Sequence, residues 1–304
     1  MNMWKERICR ARLCTLDVAL ASSPCSRTSY DIDIVALQMH LLTPHFAALR
    51  SIEIQFNSYA PYLWNAALGP FCQPTPHLWE YRSSCAVEVP KLESLTLRYP
   101  LNDDIKEFSL FGSFAPKLTR VTLEGVRLTW HPELFGNLSF LDYTHHGFGC
   151  GEDAVDEILS MLQISFQLRE LKLCIRHKAT TFQVLRLRRL LIGDDDIALP
   201  SLESLSLHVD SEDSDIPSEL NAILSRLSLL KLKNLYLQDS AAVFPHLRPF
   251  PALPMLVDTI CRNTSLSNLM VEGRWAEPLF VSGLRARLPL LTSFQVGNMV
   301  LPWW

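Results

Sequence analysis

The apolar and polar positions of this chain repeat a short pattern nine times. The clearest copies are Leu199 to Leu207, L-P-S-L-E-S-L-S-L, and Val89 to Leu97, V-P-K-L-E-S-L-T-L. Both contain the spacing L-x-x-L-x-L. Aligned on its first leucine, the copies begin at Leu49, Leu92, Leu118, Leu138, Leu168, Leu202, Leu232, Leu266 and Leu291. The third and fifth residues after each leading leucine are Ile52 and Ile54, Leu95 and Leu97, Val121 and Leu123, Leu141 and Tyr143, and Leu171 and Leu173. The series continues with Leu205 and Leu207, Leu235 and Leu237, Leu269 and Val271, and Phe294 and Val296. All are apolar or aromatic. The residue between the two is Glu53, Thr96, Thr122, Asp142, Lys172, Ser206, Tyr236, Met270 or Gln295, mostly polar. Alternation with period two marks a strand with one dry and one wet face. Nine such strands are predicted.

Helical spacing fills several of the intervals. Val155, Ile158, Leu159 and Leu162 share one helical face, as do Leu220, Ile223, Leu224 and Leu227 after a start near Pro217-Ser218. Leu256 with Ile260, Val281 with Leu284 and Leu288, and Tyr59 with Leu63 and Ala66 give shorter helical signals. The 20 residues from Leu118 to Leu138 leave no room for a full helix, so a tight turn or a 3₁₀ piece is predicted there. The 43 residues from Leu49 to Leu92 have room for a degenerate extra coil, and the Pro-, Ser- and Cys-rich stretch 70–85 within them reads as a loop. Ser29 to Ile34, S-Y-D-I-D-I, alternates like a strand and reads as a first rung.

Strand, loop, helix, strand favours right-handed crossovers and parallel strands. A parallel sheet with one wet face is unusual, because most are covered on both sides. Stacked leucine-rich repeats explain it, since their helices cover one side only. The predicted fold is therefore α/β, a leucine-rich-repeat solenoid with a curved parallel β-sheet on its concave face and helices and turns on its convex face. Residues 1–28 read as a basic segment outside the repeats, 29–300 as the repeat domain and 301–304 as a tail. The apolar end, Leu301-Pro302-Trp303-Trp304, is expected to cap the last coil.

Composition agrees. Leucine makes up 53 of the 304 residues, as a core of stacked leucines requires. The net charge of −4 gives no bulk attraction to nucleic acid or an anionic membrane. No apolar run reaches the eighteen or so residues of a membrane span. Lys5, Arg7, Arg10 and Arg12 precede Ala19-Leu20-Ala21 in the manner of a secretion leader, but Asp17 interrupts the apolar stretch, and no leader is expected. The eight cysteines are scattered, with no C-x-x-C pair, so reduced thiols in the cytoplasm or nucleus are expected. The sequons at Asn137 and Asn263 fall inside repeat copies and carry no weight without a secretory route.

No motif for catalysis is legible: there is no G-x-S-x-G, H-E-x-x-H or P-loop. Gly147-Phe148-Gly149-Cys150-Gly151 lies between a strand and a helix, but Glu152 replaces the last glycine of a dinucleotide fingerprint, and an acid there repels a pyrophosphate. A glycine-rich turn is expected, with Glu152 and Asp153 matching the helix dipole. His145 and His146 precede it. Adjacent residues of a strand face opposite ways, so the pair is expected to be loop histidines and not ligands of one ion. Asp194 to Asp196 and the acidic run Asp210 to Asp215 lack the spacing of a calcium loop. Nucleic-acid binding would call for basic residues along one stripe with aromatics to stack on bases; the basic cluster Arg169, Lys172, Arg176, Lys178, Arg186, Arg188 and Arg189 adjoins those acidic runs, so no nucleic acid is expected as a partner. The prediction is a protein without enzymatic activity, cofactor or metal.

The wet face is the expected binding surface for a protein partner whose identity the sequence does not give. Its predicted members are Glu53, Thr96, Arg98, Arg120, Thr122 and Glu124, followed by Phe140, Asp142, Lys172, His208, Tyr236, Met270 and Glu272. Phe140, Tyr236 and Met270 are the expected anchors, because interface energy concentrates in bulky side chains.

One block carries a resemblance. Leu110 to Trp130, L-F-G-S-F-A-P-K-L-T-R-V-T-L-E-G-V-R-L-T-W, followed by Leu134-Phe135-Gly136-Asn137-Leu138, resembles the leucine-rich regions of F-box and F-box-like proteins from mushroom-forming fungi. Ser29 to Ile34 and Val89 to Leu97 are similar to that family in style. The resemblance implies a substrate receptor of a ubiquitin ligase, an SCF complex, docked on Skp1 and a cullin through an F-box. No F-box is readable before Ser29, so the Skp1 partnership is expected only where a box lies upstream. The alternative is a free-standing repeat scaffold or sequestering protein with no ligase role.

Overall fold

The computed structural model describes residues 6–7, 14–21, 32–57, 63–72, 88–149, 151–175, 196–209, 216–239, 256, 259, 265–276, 278–297 and 299–301. The fold is α/β, built on parallel strands, and the chain divides into two compact units, residues 1–138 and 139–304.

The first unit carries β1 (Leu16–Ala21), β2 (Leu49–Gln55), β3 (Ser94–Arg98) and β4 (Arg120–Glu124), paired in parallel in that order. Register puts the apolar positions in rows. Val18, Ile52, Leu95 and Val121 form one row, and Leu20, Ile54, Leu97 and Leu123 the next. Of these eight, all but Val18 are buried. Between β1 and β2 lies α1 (Ile32–Leu42), and after β2 lies α2 (Leu63–Leu68). The two-residue strands Glu107–Phe108, before β4, and Arg127–Leu128, after it, pair in parallel with each other, and a one-turn helix α3 (Pro132–Phe135) follows.

The second unit repeats the arrangement with β5 (Phe140–Thr144), β6 (Glu170–Ile175), β7 (Ser204–Val209), β8 (Asn234–Asp239), β9 (Asn268–Val271) and β10 (Ser293–Val296), parallel and in chain order. β11 (Met299–Leu301) closes the run antiparallel to β10. One row runs Leu141, Leu171, Leu205, Leu235, Leu269, Phe294, and the next Tyr143, Leu173, Leu207, Leu237, Val271, Val296. All twelve but Val296 are buried. The unit's helices include α4 (Glu152–Ile164), α5 (Ser218–Ser225) and α6 (Pro278–Arg287). α4 buries Ala154, Val155, Ile158, Leu159, Met161 and Leu162.

The leading leucine has a specific task. The N–H groups of Leu92, Leu118, Leu168, Leu202, Leu232 and Leu291 each donate to the carbonyl three residues back, and Leu49 does the same to Phe46. That tight turn drops a buried leucine into the core and starts the strand. The next residue then donates across to the segment that leads into the preceding strand: Glu93 to Arg50, Thr119 to Glu93, Glu203 to Arg169, Lys233 to Glu203, Ser267 to Lys233 and Thr292 to Ser267. Backbone groups that a turn would leave unmet are satisfied by the neighbouring repeat.

Several expectations need correction. Residues 1–28 are not wholly outside the repeats, because β1 lies there and pairs with β2. Ala19-Leu20-Ala21, the leader-like triplet, is the end of that strand. Ile32 to Ile34 is the start of α1 and not a strand; so short an alternation is outvoted by Val35, Met39 and Leu42, which bury one helical face. Leu227 leaves its helix and pairs, with Ser228, against Ile197–Ala198. Leu301 belongs to β11 and not to a tail. The short Leu118–Leu138 repeat uses the one-turn α3. Residues 73–85 of the 70–85 loop, most of the Leu256–Ile260 helix and the residues Trp303-Trp304 lie outside the described residues.

Candidate binding face and a buried histidine pair

Alternation leaves a second set of side chains opposite the core. In the first unit Glu53, Thr96 and Thr122 form one outward row, and Gln55, Arg98 and Glu124 the next. Glu53 and Arg120 are exposed, while Thr96, Arg98, Thr122 and Glu124 are half-buried. Arg98 and Glu124 are cross-strand partners of opposite charge.

In the second unit the outward rows are longer. Asp142, Lys172, Ser206, Tyr236, Met270 and Gln295 are successive partners across β5 to β10. Lys172 is exposed; its ammonium lies 3.6 Å from Glu170 and 5.4 Å from the centre of the Phe140 ring. Tyr236 and Met270 are adjacent and half-buried, the bulkiest apolar pair along this row. His208 sits between Cys174 and Gln238 in the following row. Glu272 is half-buried just beyond β9, its N–H donating to Leu237 O at 2.9 Å. Phe140, expected to be an exposed anchor, is only 9% exposed. It supports Lys172 and offers little surface of its own.

The glycine-rich turn after β5 is arranged as follows. β5 ends at Thr144, so the strand rule that would send His145 and His146 to opposite faces no longer applies. Both rings are buried, with centroids 4.2 Å apart, and Phe148 stacks on His146 at 5.3 Å. His145 Nδ1 accepts the Gly147 N–H at 3.2 Å and His146 Nδ1 accepts the Phe148 N–H at 3.0 Å. A backbone N–H only donates, so each Nδ1 presents its lone pair and each neutral ring carries its proton on Nε2. His146 Nε2 then donates to Glu157 Oε1 at 2.8 Å, which also accepts from the Tyr143 hydroxyl at 3.3 Å. One ligand atom each from His145, His146 and Glu157 lie within 4.8 Å of one another. The opposite-faces expectation is thereby overturned.

The start of α4 holds no place for a phosphate. The Gly151 N–H donates to Glu219 Oε1 at 2.7 Å, and Glu219, at the start of α5, is 6% exposed. The protein's own carboxylate occupies the position an anion would take at that turn. Glu157 and Glu219 were not legible as partners. Each is an ordinary acidic residue of a helix, 11 and 68 residues from the group it meets. The same holds for Asp239 and Arg274, a buried pair bonded at 2.7 and 3.0 Å through Nε and Nη2.

Of the basic cluster, Arg169 and Lys172 are described, and both are exposed. The rest of it, and the acidic runs except the exposed Asp196, lie outside the described residues. No helix among the described residues is long and apolar enough to cross a membrane. No family model matches the chain, and no curated protein matches it.

Proposed function

We propose that the chain is a leucine-rich-repeat solenoid that binds another protein through the wet, concave side of its sheet, without catalysis. The observation that carries this reading is the row Asp142, Lys172, Ser206, Tyr236, Met270, Gln295, in which two bulky side chains sit side by side among polar or charged neighbours. An apolar centre with a polar rim is the usual build of a protein interface. The mixed charge of the rows argues for a protein rather than a polyanion as partner. The scattered cysteines support a cytoplasmic or nuclear setting.

The resemblance of Leu110 to Trp130 supports a narrower reading, a substrate receptor of an F-box ubiquitin ligase. The free-standing scaffold is the alternative. Affinity purification of the natural gene product, probed for Skp1 and a cullin, separates them. Recovery of both supports the receptor. Recovery of a partner without Skp1 supports the scaffold. Loss of that partner on Tyr236→Ala or Met270→Ala, with folding retained, ties binding to this face.

A further inference from the structure

We propose that His145, His146 and Glu157 form a binding site for one borderline divalent cation of the zinc class, which ties the turn after β5 to α4. The two imidazoles and the carboxylate supply three N and O ligands of the type zinc takes, with a fourth position left to water. Their ligand atoms already lie within 4.8 Å of one another, and both histidines are buried. Short contraction of the group brings it to coordination distance. The Tyr143 hydroxyl on Glu157 is the outer partner that holds a ligating carboxylate in place.

Binding rearranges protons in a defined way. Each ring must offer the Nε2 lone pair, so its proton moves from Nε2 to Nδ1, with no net proton released from a neutral imidazole. The Gly147 and Phe148 N–H groups then turn away from the two Nδ1 atoms, and His146 gives up its bond to Glu157. The turn is suited to this: Gly147, at φ 78°, and Gly151, at φ 59°, already use a backbone region that glycine enters without steric cost. Coordination by three ligands outweighs the two backbone bonds lost, because metal binding to a structural site is far stronger than a pair of neutral hydrogen bonds.

The test uses the full chain without a polyhistidine tag, stripped by chelator and desalted, and titrated calorimetrically with zinc chloride. The expected result is saturable binding of one ion, a thermal midpoint that rises with zinc and saturates, and a loss of affinity of at least about tenfold in Glu157→Gln and in His145→Gln. Glu157→Gln keeps an oxygen to accept from His146 and Tyr143, so it reports on the ion even if a histidine variant misfolds. Cobalt should give the absorption of a tetrahedral N and O site without a thiolate charge-transfer band. Tyr236→Ala should bind zinc as the unaltered chain does. Absence of saturable binding, equal affinity in Glu157→Gln, or a thiolate band with cobalt would overturn the proposal; the first result would leave the pair as core histidines.

Discussion

Leu235 and Tyr236 are neighbours with opposite fates. Leu235 is 1% exposed and stacked between Leu205 and Leu269, whereas Tyr236 is half-buried on the other face. Leu235→Ala should lower unfolding stability by about 2–5 kcal/mol, and Tyr236→Ala by less than about 1 kcal/mol, read from urea denaturation. Equal losses would mean that the two faces are misassigned. Arg274 and Asp239 make a sharper case, because both charges are out of water. Arg274→Ala leaves a buried carboxylate without its guanidinium and should cost about 3–5 kcal/mol. Asp17 differs. Hydrogen bonds from Arg50 and Ser51 hold its carboxyl below the usual value of 3.8, but the pair is largely exposed. A depressed folded value stabilises above the unfolded pKa and is lost as pH falls through the folded one. The contribution therefore begins to fade as pH falls below about 4 and is gone only below the lowered folded value, and its exposure keeps it small. Stability curves of the unaltered chain and Asp17→Asn should converge in acid and separate slightly toward neutrality.

Single elements show how far local pattern reaches. The turn after β4 rests on Gly125, at φ 70°, where an added Cβ would lie 2.1 Å from Tyr99 O. Gly125→Ala should destabilise by more than about 1 kcal/mol, measured as a lower midpoint, because both the dihedral and the backbone contact forbid a side chain. Nothing in the period-two pattern marks that glycine. The pattern did mark every strand from β2 to β10, since each needs only its own alternation and the leucine turn before it. It missed β1, whose Leu16, Val18 and Leu20 alternate correctly but whose sequence has Thr15 where the motif sets its leading leucine. Ser29 to Ile34 misled for the opposite reason: alternation over so few residues is compatible with a helix once Val35, Met39 and Leu42 have somewhere to bury. The pairing partner and the packing surface decide such short runs, and neither is local.

For the chain as a whole, the outward rows mix Glu53, Asp142 and Glu272 with Arg98, Arg120 and Lys172 at a net charge of −4. Passage over immobilised heparin at low salt should therefore retain little protein, and binding of a true partner should depend weakly on ionic strength. Strong retention would move the reading toward a polyanion.

Fold class and the two faces of the strands followed from repetition, because a side chain's face depends on residues one and two positions away. Where the polar groups end up did not follow. His146 with Glu157, Gly151 with Glu219 and Asp239 with Arg274 meet across 11, 68 and 35 positions. Such encounters depend on how successive strands and helices pack, and a linear pattern of leucines holds no record of that packing for the residues that are not leucine.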